Sequence, residues 1–255
     1  MKALKAIYLR ELRAYFHSSI AYVLWVSFLV ITGYFFFTGV ASYSMASMQA
    51  MQNPMFMRLN LQEWLVSPLM SNMSVIMMLI TPLLTMRLLS EEKRSGTLEL
   101  LLSYPLTDFS VVLGKYLASL TMLALILAPT LLHLAILASM GSLHWPAVLV
   151  GYLGLLLEGG GFLALGLAAS AMTENQIVAA VAGFAGLLFL WVVGWSSTVV
   201  GPEAGAALKG LSLGSHFENF PKGLLDTADL AYFLIFIGFF LFLSTRALEA
   251  KRWKA

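Results

Sequence analysis

SPLMSNMSVIMMLITPLLTMRLLSEEKRSGTLELLLSYP, residues 67–105, passes abruptly from one solvent to another. From Ser67 to Met86 there is no charged side chain, whereas Arg87, Glu91, Glu92, Lys93 and Arg94 follow within a few positions. A helix needs about 20 mostly apolar residues to cross roughly 30 Å of hydrocarbon. The first part is that long, and the charged run cannot remain in lipid. Gly96 breaks the helix, and Thr97 is placed to cap a new one by satisfying an orphan amide. A short helix, Leu98–Ser103, is expected to stop before Pro105. Thr107 then caps the next span, and Asp108 suits the positive end of that helix dipole.

The remaining chain repeats this pattern. Of its 255 residues 60% are hydrophobic and 11% charged, against about 25% charged in a soluble domain. The charges sit in short clusters between apolar runs. We expect an all-α polytopic membrane protein forming a single domain over residues 1–255, with spans at 20–41, 67–89, 111–139, 146–172, 177–199 and 230–245. The apolar runs are continuous rather than alternating, which excludes a β-barrel. The apolar run of the first span is too long for a cleaved signal peptide.

Six spans put both termini on one side, and Lys and Arg choose that side. Four basic residues lie before the first span (Lys2, Lys5, Arg10, Arg13), four after the second (Arg87, Lys93, Arg94, Lys115) and four at the C-terminus (Arg246, Lys251, Arg252, Lys254), twelve of the fifteen in the chain. Both termini are expected in the cytoplasm. The net charge of +2 is too small to imply a nucleic-acid partner. With no cysteine, a disulfide framework, a thiolate metal site and a cysteine nucleophile are excluded.

Residues 2–16 read as an amphipathic helix in the inner membrane interface. Leu4, Ile7, Tyr8, Leu12 and Tyr15 form its apolar face, with Lys2, Arg10 and Arg13 opposite. Glu11 falls within the apolar face and needs a partner there. The helix is either a plain anchor or a lever onto the first span. The leucines at 98, 101 and 102 offer more apolar surface than a solvated loop needs. They either dock a partner or lie on the lipid surface, and composition leaves both open.

In the outer segment 201–229, Gly201, Pro202, Gly205, Gly210, Gly214 and Pro221 disfavour a regular span. Short helices that dip back toward the membrane are expected, with Phe217 and Phe220 toward lipid and His216, Glu218 and Lys222 toward water. Glu158, beside Gly159, Gly160 and Gly161, sits near the middle of the fourth span. An ionised group there costs about 3 kcal/mol on insertion scales, so it is a pathway candidate as well as a packing residue. His133 is the nearest polar candidate in sequence. The outer loop after the first span holds Met45, Met48, Met51, Met55 and Met57, a thioether set that either binds Cu(I) or serves as flexible hydrophobes.

No His-Glu-x-x-His, nucleophile elbow or phosphate-cradling loop is present. The chain is therefore not expected to be an enzyme or to hydrolyse ATP itself. An autonomous secondary transporter is one alternative, and an intramembrane enzyme is a weaker one because the nucleophile–base pair is missing.

The run Glu91-Glu92-Lys93-Arg94-Ser95-Gly96-Thr97-Leu98-Glu99-Leu100-Leu101-Leu102-Ser103-Tyr104-Pro105, continued by Leu113-Gly114-Lys115, resembles the signature of type 2 ABC exporter permeases. Arg10-Glu11-Leu12 and Thr173-Glu174-Asn175-Gln176 fit the same family. The segment from Leu213 to Asp226 is similar to the gliding-motility-associated GldF-type subgroup. The resemblance covers essentially the whole chain. It implies a bacterial inner-membrane permease paired with a second permease subunit, identical or homologous, and served by a dimer of cytoplasmic ABC ATPases. That partner would carry ATP and Mg. An outer-face accessory protein is also compatible. By resemblance, residues 90–105 are the coupling loop, with Glu91, Glu92, Arg94, Gly96, Thr97, Leu98, Glu99, Leu101 and Leu102 meeting the ATPase.

Overall fold

The computed structural model describes residues 2–50, 60–97, 107–140 and 143–252, and every regular element among them is a helix. The chain opens with α1 (Lys2–Phe16) and α2 (Ser19–Ala50). A π-helical turn at Gln62–Val66 leads into α3 (Ser67–Thr85), and α4 (Ser90–Arg94) follows. Next come α5 (Asp108–Leu127), α6 (Leu131–Met140), α7 (Trp145–Met172) and α8 (Gln176–Val192). The last part comprises α9 (Pro202–Leu211), α10 (Leu213–Phe217) and α11 (Thr227–Arg252).

Five stretches are long and apolar enough to cross a membrane: Ser19–Gln49, Gln62–Arg94, Asp108–Ser139, Trp145–Met172 and Thr227–Ala250. The fifth expected span, 177–199, is different. Its α-helix ends at Val192, and a 3-10 turn at Trp195–Thr198 takes over after Gly194. Its 17 residues cover about 26 Å at 1.5 Å per residue, short of the roughly 30 Å hydrocarbon core. The third expected span is broken by a 3-10 turn at Ala128–Thr130. Pro129 lacks the amide that a continuous helix would use there.

Helix starts follow local chemistry. The Thr107 hydroxyl accepts from the Ser110 amide, with Asp108 in the first turn of α5. The Asn175 carboxamide oxygen accepts from the Ile177 and Val178 amides and so starts α8. Gly96 has φ of +71°, a left-handed conformation open to glycine, just beyond the end of α4.

The centre of the bundle is α7, which packs against α3, α5, α8 and α11. It shares the core with α3, whereas α2 and α11 have mostly exposed apolar windows (22% buried in each, against 72% for α3 and α7). The start of the α11 arm lies beside the start of α7, where Gly223 meets Ala147. Further on, Phe236 lies against Gly161 and Ile237 against Gly160, so α7 and α11 run in the same direction. Two buried hydroxyls are satisfied on their own helices: Thr32 donates to the Phe28 carbonyl (2.7 Å) and Thr85 to the Thr81 carbonyl (2.9 Å). This leaves no demand on lipid.

Candidate functional site

The densest charge cluster among the described residues lies where α1, α4 and α5 meet. α1 lies along α5 because its apolar side is complementary to that helix. Ile7 is buried against Gly114, where a Cβ would come within 2.9 Å of the Ile7 Cγ2. Only glycine allows this approach. Tyr8 Oη bonds Thr121 Oγ1 at 3.2 Å, and Tyr15 Oη donates to the Leu84 carbonyl at 3.0 Å.

This docking carries Glu11 to Lys115. The ammonium is 1% exposed and lies 3.0 Å from Glu11 Oε1 and 3.0 Å from Glu92 Oε1. Arg10 Nη2 reaches the same two oxygens at 2.5 Å each. Two cations and two carboxylates thus share one neutral knot, in which one end of α1 is held to α4 and to the first turns of α5. Burial of Lys115 is tolerable because both carboxylates face it. Burial alone would push the Glu11 carboxyl up, but the charge of Lys115 and the hydrogen bonds from Arg10 and Lys115 outweigh it and hold it below its ordinary value. Burial opposes the charge on Arg10, yet Glu11 and Glu92 hold its guanidinium above its ordinary value.

The break between α3 and α4 is also held. Ser170 Oγ, on α7, accepts from the Leu89 and Ser90 amides (3.1 and 3.0 Å) and donates to the Met86 carbonyl (3.0 Å). These are backbone groups that the break would otherwise orphan. Lys93 Nζ donates to the Ala171 carbonyl. Arg87 pairs with Glu91 at 2.8 Å and reaches Ser18 Oγ at 3.3 Å, at the α1–α2 junction. The segment from Arg87 to Lys93 is therefore tied to the α1–α2 junction, to α5 through Lys115 and to α7.

Of the expected coupling residues, Glu91 and Glu92 are in this network, while Arg94, Gly96 and Thr97 are exposed at its edge. Leu98, Glu99, Leu101 and Leu102, with the short helix expected at 98–103, lie outside the described residues. Arg10 and Glu11 are in the knot, whereas Arg13 is exposed. Sequence reasoning missed the role of Lys115 and Ser170. The signals were an acid on the apolar face of α1 and a lysine a turn or two inside an otherwise apolar span.

At the opposite end, the expectation for Phe217 and Phe220 is overturned. Both are buried, at 4% and 0% exposure, rather than turned to lipid. Phe220 fills a notch in α7, where a Cβ on Gly154 would come within 2.4 Å of the Phe220 Cβ. His216 is partly buried and bonds Asp229 Oδ1 at 2.7 Å, while Asn219 donates to Asp229 Oδ2 at 2.9 Å. This ties the α9–α10 region to the start of α11. Glu218 and Lys222 are exposed.

Glu158 is fully buried in α7 close to Ser74, and neither carboxyl oxygen has a hydrogen bond of normal geometry. His133, on α6, does not meet it. Its ring stacks on Phe36 at 4.9 Å. Met45 and Met48 are exposed on α2, and Met51, Met55 and Met57 lie outside the described residues.

Acidification tests the knot. Glu11 is held below its ordinary value, so its contribution to stability is complete above roughly pH 4.3, the ordinary glutamate value. The contribution is lost as pH falls through the lowered folded value. Thermal unfolding in detergent at stepped pH is expected to show a steeper acid loss for the native chain than for Glu11→Gln. Equal slopes would remove Glu11 from the account.

No curated protein matches the chain significantly. The family model described as ABC-2 family transporter protein matches residues 6–251. That range takes in the knot, all five long apolar helices and the Phe220 notch. The chain is thus a multi-pass membrane component, the permease subunit of an ABC transporter, and it belongs to the ABC-2 transporter family.

Proposed function

We propose that the chain is one of two permease subunits of an ATP-driven exporter in a bacterial inner membrane. A separate pair of cytoplasmic ABC ATPases supplies ATP hydrolysis, and the segment from Glu91 to Leu102 is where they dock. The observation that carries this reading is the knot of Arg10, Glu11, Glu92 and Lys115. A push on the docking segment reaches α1 and α5 directly through these four charges, because a buried ion network resists separation of its members. In this reading α1 is a lever as well as an interfacial helix.

The same reading takes α8 as a sixth, short span. In support, α8 starts at the turn following Met172, beside the α3–α4 break, and Gly194 just past its end lies against Ser212 of the far segment. Both termini then lie on the cytoplasmic side, where the basic clusters gather. The exposed apolar faces of α2 (Val23, Val26, Val30, Phe37) and α8 (Ile177, Val181, Phe189) serve lipid and the second permease subunit. The segment at 201–222 caps the exit, with His216, Phe217 and Phe220 as its hinge on α7 and α11.

Affinity purification of the full chain from its own cells in mild detergent tests the proposal. An ATP-binding cassette protein with ATPase activity is expected to co-purify. Leu98→Asp with Leu101→Asp is expected to reduce its recovery by about tenfold, the effect of roughly 1.4 kcal/mol of lost docking energy. A stable chain with no nucleotide-hydrolysing partner, or full recovery with both substitutions, would contradict it.

A further inference from the structure

At the end of the bundle opposite the charge knot, a cavity of about 430 Å³ opens between the first turns of α3, the end of α8 and the α9–α10 segment. Its size is that of a small-ligand site. Trp191 and Trp195, a helical turn apart, form two of its walls, with ring centroids 4.9 Å apart and planes at 61°. Glycines shape this wall. A Cβ on Gly214 would come within 3.2 Å of the Trp191 indole nitrogen, and one on Gly194 within 2.3 Å of Ser212 Oγ.

The charges around the cavity are of both signs. Lys209 comes from α9 and Glu218 from just beyond α10, and neither takes part in an ion pair among the described residues. Ser71 and Asn72, on α3, add uncharged hydrogen-bonding groups. A ligand that satisfies this lining has an anion for Lys209, a cation for Glu218 and the indole faces, and oxygens for the α3 side chains. Lysine serves phosphate as a point charge. Indole faces attract ammonium groups. A purely acidic ligand would meet Glu218, a purely cationic one would meet Lys209, and a neutral one would gain from neither charge.

The surroundings point to a lipid. Trp195 is 64% exposed, and Val199 and Val200 beside it are exposed as well. The cavity, with one charge of each sign in its lining, thus opens next to an apolar surface suited to acyl chains, with two tryptophans of the kind that favour the membrane interface.

We propose that this cavity binds the headgroup of a zwitterionic phospholipid, phosphate toward Lys209 and ammonium between the tryptophans and Glu218. The site uses only this chain's residues and stands independently of how the transporter is driven.

Native mass spectrometry of the full chain, purified from equimolar phosphatidylethanolamine and phosphatidylglycerol, tests it. Phosphatidylethanolamine is expected to be retained in preference. Trp195→Leu and Lys209→Gln are each expected to lower its retention by about three- to fivefold, the scale of losing one exposed cation–π or charge contact. Their melting temperatures should match the native chain, and Lys222→Gln should leave retention unchanged. Soluble phosphoethanolamine should displace the lipid, and inorganic phosphate should not. Equal retention of phosphatidylglycerol, equal displacement by inorganic phosphate, or full retention in both variants would overturn the proposal.

Discussion

Lys115→Met is expected to cost about 3 kcal/mol of stability, because deleting one member of a buried ion network leaves charge without its partner. The ammonium is 1% exposed and is one of two cations facing Glu11 and Glu92. Methionine fills nearly the same volume, so the loss reads the charge rather than a cavity. Arg10 remains on both carboxylates, which keeps the expected cost at the low end of the range for broken buried pairs. The double variant Glu11→Gln with Lys115→Met should recover part of the loss, since it removes one orphaned carboxylate with the ammonium. A thermodynamic cycle over the native chain, the two single variants and the double one measures that coupling. Additive effects would show that the knot is not a unit. The same Lys115→Met substitution should lower the ATPase stimulation that passes through the permease.

Phe220→Ala is expected to have an effect of similar size, about 3 kcal/mol, through a cavity rather than a charge. The ring is fully buried over Gly154 and lies 6.1 Å from Phe233. The neighbouring Pro221 carbonyl accepts from Gln62 Nε2 at 2.7 Å, so the ring and this bond together seat the far segment on α7 and on the π-helical turn before α3. Gly154→Ala should destabilise by about 1–3 kcal/mol from the other side, by forcing Phe220 out. Both variants should open residues 201–222 to protease while leaving the α1 knot intact, a pattern opposite to that of Lys115→Met. Protease resistance equal to that of the native chain would contradict the notch.

The contrast between these two sites explains how much of the molecule was legible in the sequence. Helix positions were readable because hydrocarbon imposes a single-parameter test on each run. The Thr107 cap was readable because it is local, serving an amide three residues away, whereas the Asn175 cap was seen only in the structure. The charge knot was half readable. Glu11 announced its need for a partner by falling on an apolar face, but Lys115 lies 104 positions away. No periodicity in either helix names that distance. The direction of Phe217 and Phe220 was read wrongly because a five-residue helix and the three-residue turn at Phe220–Lys222 have too little pattern to show which face is buried. The notch that takes Phe220 exists only when α7 is beside it. The length of the fifth apolar run was overestimated because Gly194 and the Trp195–Thr198 turn after it carry no charge to mark the end of the run. Hydropathy alone does not register that the α-helix has ended.

The central claim is that the segment starting at Glu91 faces the cytoplasm and is covered by an ATPase. The chain has no cysteine, so Thr97→Cys gives one reporter thiol at an exposed position. Labelling it with a membrane-impermeant maleimide in inside-out and right-side-out vesicles, with and without the ATPase, measures both parts at once. Modification in inside-out vesicles alone, suppressed when the ATPase is bound, is the predicted result. Modification from the outside, or labelling indifferent to the ATPase, would contradict the claim.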